Sequence, residues 1–198
     1  QYAGTGLGLT MVKRLAELVG YGTGNTSGVM TSGGTESNLM GMMLARDAAL
    51  RDAGGAGPAA DGVPGPAGRL RFFCSEEAHF SVQRNAALLG LGESAVIAVP
   101  VDKEHRMDVA ALERELAGCE GIPAAIVATA GTTDVGAVDP LPELSEVARR
   151  HGTWLHVDAA YGGGALFSDR LSPLLEGLGN SHSVALDLHK PVSYTHLR

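Results

Sequence analysis

The sequence predicts an α/β fold in which a mainly parallel sheet is flanked by helices. Short apolar segments rich in β-branched residues alternate with longer segments of helical period, and this alternation requires crossover connections between parallel strands. Polar residues and glycines follow directly after several of these strands. Because ligands of open α/β sheets bind beyond the carboxyl ends of parallel strands, the strand ends are the predicted site.

The first third of the chain contains two predicted helices and a loop. In residues 9–19, apolar side chains recur at intervals of three and four residues, which is typical of an amphipathic helix that ends at Gly20. Residues 28–31 are predicted as a short strand, followed by a glycine turn and a helix that continues toward Leu50. Glycine and proline dominate residues 53–68, so we expect an exposed loop there.

The rest of the chain repeats the strand and helix pattern without a composition shift, so the loop is not a domain boundary. Each predicted strand is a short apolar run, as expected for parallel strands that are buried on both faces. We predict strands at 70–74, 95–101, 124–128, 154–157 and 183–186, and helices at 80–89, 109–116 and 141–150.

Composition and charge exclude several functions. Hydrophobic residues make up 44% of the chain and charged residues 19%, as in soluble globular proteins. A net charge of −7 without a run of Lys and Arg argues against nucleic-acid binding, and no stretch is apolar enough for a membrane span. Two cysteines, Cys74 and Cys119, are too few for a disulfide framework, so we expect a cytoplasmic protein.

The most informative stretch is residues 154–164, Trp-Leu-His-Val-Asp-Ala-Ala-Tyr-Gly-Gly-Gly. Its first half is typical of a buried strand, and the small residues of its second half admit close approach by another group. Asp158 therefore lies where a cofactor would be held, and Ala159 and Ala160 are too small to exclude a flat ring. The alternative is an aspartate that only caps a core strand.

A second strand end has the same character. Residues 187–190, Asp-Leu-His-Lys, directly follow the predicted strand 183–186. An acid at one strand end and an amine at another suggest one shared ligand.

Residues 32–38, Ser-Gly-Gly-Thr-Glu-Ser-Asn, connect a predicted strand to a helix start. Two glycines allow the backbone to approach an anion, and the amides of the helix start and the hydroxyl of Thr35 can donate to it. We interpret this turn as a phosphate cup, with an ordinary glycine-rich helix cap as the alternative. ATP and NAD are poorly supported, because the lysine of a P-loop and the spacing of a dinucleotide fingerprint are missing.

Two further strand ends carry polar groups. His79 follows the strand 70–74, where an imidazole can either cap a helix or stack on a heteroaromatic ring. Residues 130–140 supply hydroxyls, with a simple turn into the next helix as the alternative.

A metal would be a competing explanation for the acids and histidines. His156 and Asp158 project from the same face of a strand, as two ligands would, yet no third ligand occurs at a characteristic spacing. A nucleophile elbow, Gly-x-Ser-x-Gly, is also missing.

One cofactor needs all of these groups. Pyridoxal 5′-phosphate requires an anion cup for its phosphate, a plate that stacks on its ring, an acid for its ring nitrogen and a lysine for its aldehyde. We therefore predict pyridoxal 5′-phosphate as the cofactor and no metal.

From residue 9 to residue 190 the sequence resembles the large domain of the group II pyridoxal-phosphate-dependent amino-acid decarboxylases, which have the aspartate aminotransferase fold (fold type I). The matching motifs are Thr-Ser-Gly-Gly-Thr-Glu-Ser-Asn-Leu at 31–39, Ala-His-Phe-Ser at 78–81, Ala-Gly-Thr-Thr at 130–133, His-Val-Asp-Ala-Ala-Tyr at 156–161 and Asp-Leu-His-Lys at 187–190. The order of the motifs along the chain is also that of the family.

The resemblance implies a role for each matching residue. Lys190 would be the Schiff-base lysine, Asp158 the partner of the pyridine nitrogen and His79 the ring that stacks on the cofactor. The remaining cofactor-binding positions are Ala160 on the opposite ring face, Thr133 beside the cofactor, and Gly34, Thr35, Asp187 and His189 around the phosphate. Asp187 stands where some relatives have Asn.

The resemblance further implies a carboxy-lyase that decarboxylates an L-amino acid, an enzyme of amino-acid and carboxylic acid metabolism. Residues 28–47 and 74–92 look most like bacterial 2,4-diaminobutyrate decarboxylases, while glutamate and aromatic amino-acid decarboxylases share the cofactor shell. The alternatives are another carbon–carbon lyase, an aminotransferase, or a cofactor-binding fragment without activity.

The domain organisation also follows from the resemblance. The chain begins with Gln1, and we expect residues 1–190 to be part of a large domain whose sheet is incomplete and which is inactive by itself. Residues 191–198 depart from the family pattern and are interpreted as a foreign tail. We expect the full-length protein to be a homodimer with its sites at the interface.

Overall fold

The computed structural model describes residues 6–22, 24, 26–54, 58, 62–63, 69–188 and 190, with residues 6–9 described by their backbone alone. The helices are α1 Gly6–Val19, α2 Gly34–Asp52, α3 Ser81–Leu88, α4 Val109–Ala117 and α5 Leu141–His151. The strands are β1 Leu70–Ser75, β2 Val96–Val99, β3 Ile122–Thr129, β4 Trp154–Ala159 and β5 Ser183–Leu186. Short 3-10 turns connect β4 to β5. The predicted α/β class is confirmed, and every strand predicted after residue 69 is present. The strand at 183–186 has the predicted ends, and the other four differ from prediction by one to two residues at one or both ends.

All strand pairs of the sheet are parallel, in the order β2-β1-β3-β4-β5. Helix α3 connects β1 to β2 on one face, whereas α4 and α5 make the following connections on the other face. The strand order therefore reverses between β1 and β3. Such a reversal opens a crevice at the carboxyl ends of the strands, where ligands of open α/β sheets bind.

Alternation along the strands divides the core into two layers. Phe72 and Cys74 of β1 pack with α2 and α3, while Phe73 between them packs with α4 and α5. In the same way, β4 directs Leu155 and Val157 into the layer of α4 and α5. Because successive side chains of a strand point to opposite faces, Trp154, His156 and Asp158 are left facing α2.

The predicted strand at 28–31 is wrong, because no strand is formed at residues 26–31. Val29 and Met30 are 63% and 67% exposed, and Gly28 packs against Val12 of α1, where an added Cβ would lie 2.8 Å from Val12 Cγ1. A short apolar run has the sequence pattern of a strand whether or not a partner strand is available to pair with it. Here Gly28 packs against helix α1 instead of a strand.

Most of the predicted loop at 53–68 lies outside the described residues. Ala53 ends α2 and Gly54 follows it at φ +89°, a backbone conformation that glycine tolerates best. None of the described helices is long and apolar enough to cross a membrane.

Candidate active site

Asp158 lies at the carboxyl end of β4, between Thr129 of β3 and Ala185 of β5 in the sheet register. Its side chain is 7% exposed and faces α2. The Nδ2 of Asn38 donates to Asp158 Oδ2 over 2.7 Å, and the backbone amide of Ala160 donates to Oδ1 over 3.0 Å. A carboxylate has about four acceptor positions, so each oxygen can accept a further hydrogen bond from a ligand.

A line of buried polar side chains continues from Asp158 along the α2 face of β4. Asn38 Oδ1 lies 3.0 Å from His156 Nε2, and His156 Nδ1 lies 2.8 Å from the hydroxyl of Ser183 on β5. The indole Nε1 of Trp154 donates to the same hydroxyl over 2.9 Å. Burial lowers the pKa of His156 to about 4, against the opposing effect of the Asp158 charge, so the imidazole is neutral at pH 7.

The glycine turn lies against the small residues that follow β4. A Cβ added to Gly34 would lie 2.8 Å from the Cβ of Ala160. The predicted phosphate cup is therefore in direct contact with Ala160, the residue predicted to lie against one face of the cofactor ring. Only glycine allows α2 to begin this close to Ala160.

Side chains hold the turn in place from both sides. Glu36 Oε2 accepts from the amide and the hydroxyl of Ser32, over 2.8 and 2.6 Å, and these hydrogen bonds lower the pKa of Glu36. Asn85 of α3 donates to the carbonyl of Thr35 over 3.0 Å. The start of α2 is thus fixed relative to both β4 and α3.

His79 lies between β1 and α3 and is partly buried. The amide of Ser81 donates to its Nδ1 over 3.3 Å, and the Ser81 hydroxyl lies 2.8 Å from the same nitrogen. Nδ1 is therefore the acceptor, and Nε2 carries the hydrogen of the neutral ring.

The pKa of His79 depends on the charges of Asp158 and Lys190, the other two residues for which catalytic roles are predicted. Burial lowers this pKa most, the positive charges of Lys190 and Arg84 lower it further, and the negative charge of Asp158 raises it. The charges of Asp158 and Lys190 thus both affect the pKa of His79, although the three residues are far apart in the sequence. The net effect favours a neutral imidazole at pH 7.

The turn after β3 packs beside the residues that follow Asp158. Ala130 donates to the Asp158 carbonyl over 2.8 Å and accepts from the amide of Gly162 over 2.9 Å. Gly131 has φ +98°, and a Cβ there would lie 2.8 Å from the nitrogen of Gly162. Thr132 is buried and accepts from Ala137, whereas Thr133, the residue with a predicted cofactor role, is exposed on this turn.

The predicted residues after β5 are only partly described. Asp187 and Lys190 are both partly buried. His189 and the predicted foreign tail at 191–198 lie outside the described residues. In the described part of the chain, no group of three or more His, Cys, Asp and Glu side chains is arranged to hold a metal ion.

Asn38 and His156 are the functional candidates that the sequence prediction missed or interpreted differently. Asn38 belongs to the glycine-turn motif but received no role, and His156 was considered only as a metal ligand. A polar residue of low helix propensity at an interior position of a helix was the available signal for Asn38. For His156 the signal was its place on the same strand face as Asp158.

A cavity of about 610 Å³ lies elsewhere, at the amino ends of β3 and β4, where it is lined by residues such as Ala48, Pro123 and Trp154. None of the predicted site residues lines it. The position of the charged groups, rather than this cavity, therefore identifies the candidate site.

The chain is similar to known proteins over nearly its whole length. Residues 3–194 match the family model described as the pyridoxal-dependent decarboxylase conserved domain. The chain is 43% identical to L-2,4-diaminobutyrate decarboxylase of Acinetobacter baumannii, over 95% of this chain and 39% of that protein. It is 42% identical to cysteine sulfinic acid decarboxylase of Rattus norvegicus, over 91% of this chain and 36% of that protein.

A solved structure is similar over the same part of the chain. It is the glutamate decarboxylase domain of a diaminobutyrate-pyruvate transaminase and L-2,4-diaminobutyrate decarboxylase from Vibrio parahaemolyticus, with 39% identity and a TM-score of 0.87. The similarity covers 94% of this chain and 41% of that one. The chain thus spans less than half the length of the relatives it matches.

Proposed function

The chain belongs to the pyridoxal-dependent decarboxylase family, and on this premise we propose that the protein decarboxylates an L-amino acid with pyridoxal 5′-phosphate bound at the carboxyl ends of the strands. The observation that carries this proposal is geometric: Asp158 ends β4 and Lys190 follows β5, the adjacent parallel strand, and the glycine turn that begins α2 packs against Ala160. The charges of Asp158 and Lys190 also both affect the pKa of His79. An acid, an amine and a flat neutral ring are the groups that this cofactor requires.

The described residues fit the cofactor. The start of α2 offers backbone amides to an anion, and the Gly34 position has no room for a side chain because Ala160 lies against it. Ala160 has only a methyl group, so a flat ring can lie over it. Asp158 retains acceptor capacity beyond the hydrogen bonds from Asn38 and Ala160.

When bound, the cofactor supplies an electron-accepting ring for the electrons that carbon dioxide leaves behind. Asp158 would place its negative charge at the ring nitrogen and favour the protonated nitrogen. Lys190 would hold the cofactor covalently through its amine. His79, being neutral, would cover one ring face without repelling a positive ring.

The other predicted residues would complete the pocket. Gly34 and Thr35 would bind the phosphate through the start of α2. We keep Asp187 and His189 as phosphate neighbours, Thr133 beside the cofactor and Ala160 under the ring.

For the substrate we propose L-2,4-diaminobutyrate. Support comes from the names of the relatives from Acinetobacter baumannii and Vibrio parahaemolyticus. An acidic substrate such as cysteine sulfinate is the second candidate, because the relative from Rattus norvegicus is named for it at nearly the same identity.

We also propose that the whole protein is a cytoplasmic homodimer and that residues 1–190 are part of its large domain. Two exposed aromatic side chains beside the site, Phe80 next to His79 and Tyr161 against Gly131, support a partner surface there. The free cysteines Cys74 and Cys119 are compatible with a reducing compartment.

The test is carbon dioxide release by the whole protein from a panel of L-amino acids, with and without added pyridoxal 5′-phosphate. We expect release that depends on the cofactor and is fastest with 2,4-diaminobutyrate. Lys190→Ala should abolish release, and Lys103→Ala, at an exposed lysine, should leave it unchanged. Cofactor binding without release would instead indicate an aminotransferase, another carbon–carbon lyase or an inactive binder, and would contradict the proposal.

A further inference from the structure

Two buried side chains in contact with the site have no part in the proposed function. Asn38 and His156 are each 1% exposed. Burying amide and imidazole groups is unfavourable unless their donors and acceptors are paired. The partners that they have therefore determine what these residues can do.

The direction of the hydrogen bonds is fixed at the Asp158 end. An ionised carboxylate only accepts, so the group of Asn38 that faces Oδ2 at 2.7 Å is its NH₂. The carbonyl oxygen of Asn38 then faces His156 Nε2 at 3.0 Å and must accept from it. His156 therefore carries its hydrogen on Nε2.

The other end gives the same assignment. The indole of Trp154 only donates, so Ser183 Oγ accepts from it over 2.9 Å. The hydrogen of Ser183 is then available for His156 Nδ1, 2.8 Å away. A neutral imidazole with an acceptor at Nδ1 and a donor at Nε2 satisfies both neighbours.

We propose that Asn38 and His156 are positioning residues that hold the carboxylate of Asp158 in one orientation, as an acceptor for the pyridine nitrogen. Ser183 and Trp154 anchor the far end of this hydrogen-bond chain. The inference rests on the proposed function, because it concerns the carboxylate that would face the cofactor. The hydrogen-bond chain itself is a property of the protein without cofactor.

The chemistry of residue 38 provides a sharp test. An amide donates to Asp158 and accepts from His156 at the same time. A carboxyl group has the same shape but can donate only when it is protonated, and a leucine has similar size but can do neither. A positioning role thus predicts a pH-dependent defect for Asn38→Asp and a pH-independent one for Asn38→Leu.

The measurement is the dissociation constant of pyridoxal 5′-phosphate for the whole protein between about pH 5 and pH 8. We expect Asn38→Leu to weaken binding roughly tenfold or more at every pH. Asn38→Asp should bind at least as weakly as Asn38→Leu at the alkaline end, where an ionised residue 38 repels Asp158, and roughly tenfold tighter than Asn38→Leu at the acid end. Parallel curves for the two variants, or normal binding by Asn38→Leu, would overturn the proposal.

Other ionisable and charged groups lie nearby but are common to both variants. Asp158 and His156 face residue 38 from β4, and Glu36 lies on the same helix. His79, Lys190 and Arg84 interact further out. These groups affect the pH dependence of cofactor binding in both variants alike, so their contribution cancels in the ratio of the two dissociation constants at each pH. The pH dependence of this ratio then reports the protonation of the carboxyl group in Asn38→Asp and its interaction with Asp158.

A second measurement needs neither a substitution nor the cofactor. Nitrogen-15 NMR of labelled histidines in the whole protein should show His156 as the neutral Nε2–H tautomer at pH 7. An Nδ1–H tautomer or an imidazolium would overturn the proposal. If the protein did not bind pyridoxal 5′-phosphate, the proposed function would be contradicted. The tautomer of His156 would still test the hydrogen-bond chain, because that measurement does not involve the cofactor.

The anchor has a matched control. Ser183→Ala removes the partner of His156 Nδ1, and we expect severalfold weaker cofactor binding. Ser181→Ala removes a buried hydroxyl two residues earlier that contacts Tyr21 and the carbonyl of Leu178 but not His156. This control should bind normally; equal effects of the two substitutions would contradict the role of Ser183.

Discussion

Gly41 of α2 lies directly over the imidazole of His156, so that a Cβ at residue 41 would overlap the ring. Gly34, Asn38 and Gly41 are spaced by four and three residues and form one stripe of the helix. This stripe allows α2 to approach β4 closely enough for Asn38 to reach both His156 and Asp158. The close packing of the helix is thus a condition for the hydrogen-bond chain.

The first prediction concerns Gly41→Ala. Alanine in a helix interior is ordinarily more favourable than glycine by about 1 kcal/mol. Here the overlap with His156 should reverse the sign, and we expect a loss of about 1–3 kcal/mol in the free energy of unfolding. Urea denaturation of the whole protein measures it.

A control and a double variant make this prediction specific. Gly22→Ala, where an added Cβ meets nothing within 4 Å, should change stability by less than about 0.5 kcal/mol. Adding His156→Ala to Gly41→Ala should cost less than the sum of the two single effects, because the overlap is already relieved. Additive effects would show that the ring is not what opposes the alanine.

The second prediction is a pH dependence of stability that comes from His156. Burial lowers the pKa of His156 from 6.5 to about 4, so between these values the unfolded chain binds a proton that the folded chain does not. This contribution to stability is present above pH 6.5 and is lost as the pH falls toward 4, by a few kcal/mol in total.

Asp139 opposes this effect over a similar range. Its buried carboxylate accepts from the amides of Met107 and Thr129, and burial raises its pKa from 3.8 to about 6. The folded chain therefore binds the extra proton here, so stability falls as the pH rises through this window.

The variant His156→Gln separates the two contributions, because it keeps that of Asp139 and loses that of His156. Its free energy of unfolding should rise relative to that of wild type as the pH falls from 6.5 to 4. A difference between variant and wild type that does not change over this range would contradict the assignment to His156.

The sequence predicted those features that depend on local pattern. Short apolar runs identified β1, β3, β4 and β5, and the positions of Asp158 and Lys190 just after strands identified the site, because parallel strands end at the same edge of the sheet. The run at 28–31 failed because an apolar pattern does not say whether a partner strand exists.

The contacts that organise the site could not be read from the sequence. Asn38 and Asp158 are 120 residues apart, and their contact depends on how closely α2 packs on β4. The distance between α2 and β4 is set by Gly34 and Gly41. In a sequence alone, a glycine can indicate a turn, a positive φ or a close approach, so the role of these two could not be inferred. Only the assembled layers show that both make room for groups of β4 and the residues after it.

The third prediction concerns Asp158→Asn. The amide has the size of the carboxylate but no charge, so it cannot favour a protonated ring nitrogen. We expect the variant to keep the cofactor and to lose about a hundredfold or more in kcat. Turnover close to that of wild type would remove Asp158 from its proposed role, and Asp169→Asn, at an exposed acid, serves as the control.

The fourth prediction separates the charge of Lys190 from its amine. Lys190→Ala removes both, whereas Lys190→Arg keeps the charge but lacks an amine that can bond to the cofactor aldehyde. Both variants should lack the absorption band of the covalently held cofactor. A band that persists would mean that another lysine holds the cofactor.

The two variants should differ in the titration of His79, which does not depend on the cofactor. The charge of Lys190 lowers the pKa of His79, so Lys190→Ala should raise this pKa, while Lys190→Arg should leave it close to that of wild type. NMR titration of His79 in the whole protein without cofactor measures the shift. An unchanged pKa in Lys190→Ala would place the ammonium group away from the ring of His79, and the amine and the imidazole could then not serve one bound cofactor.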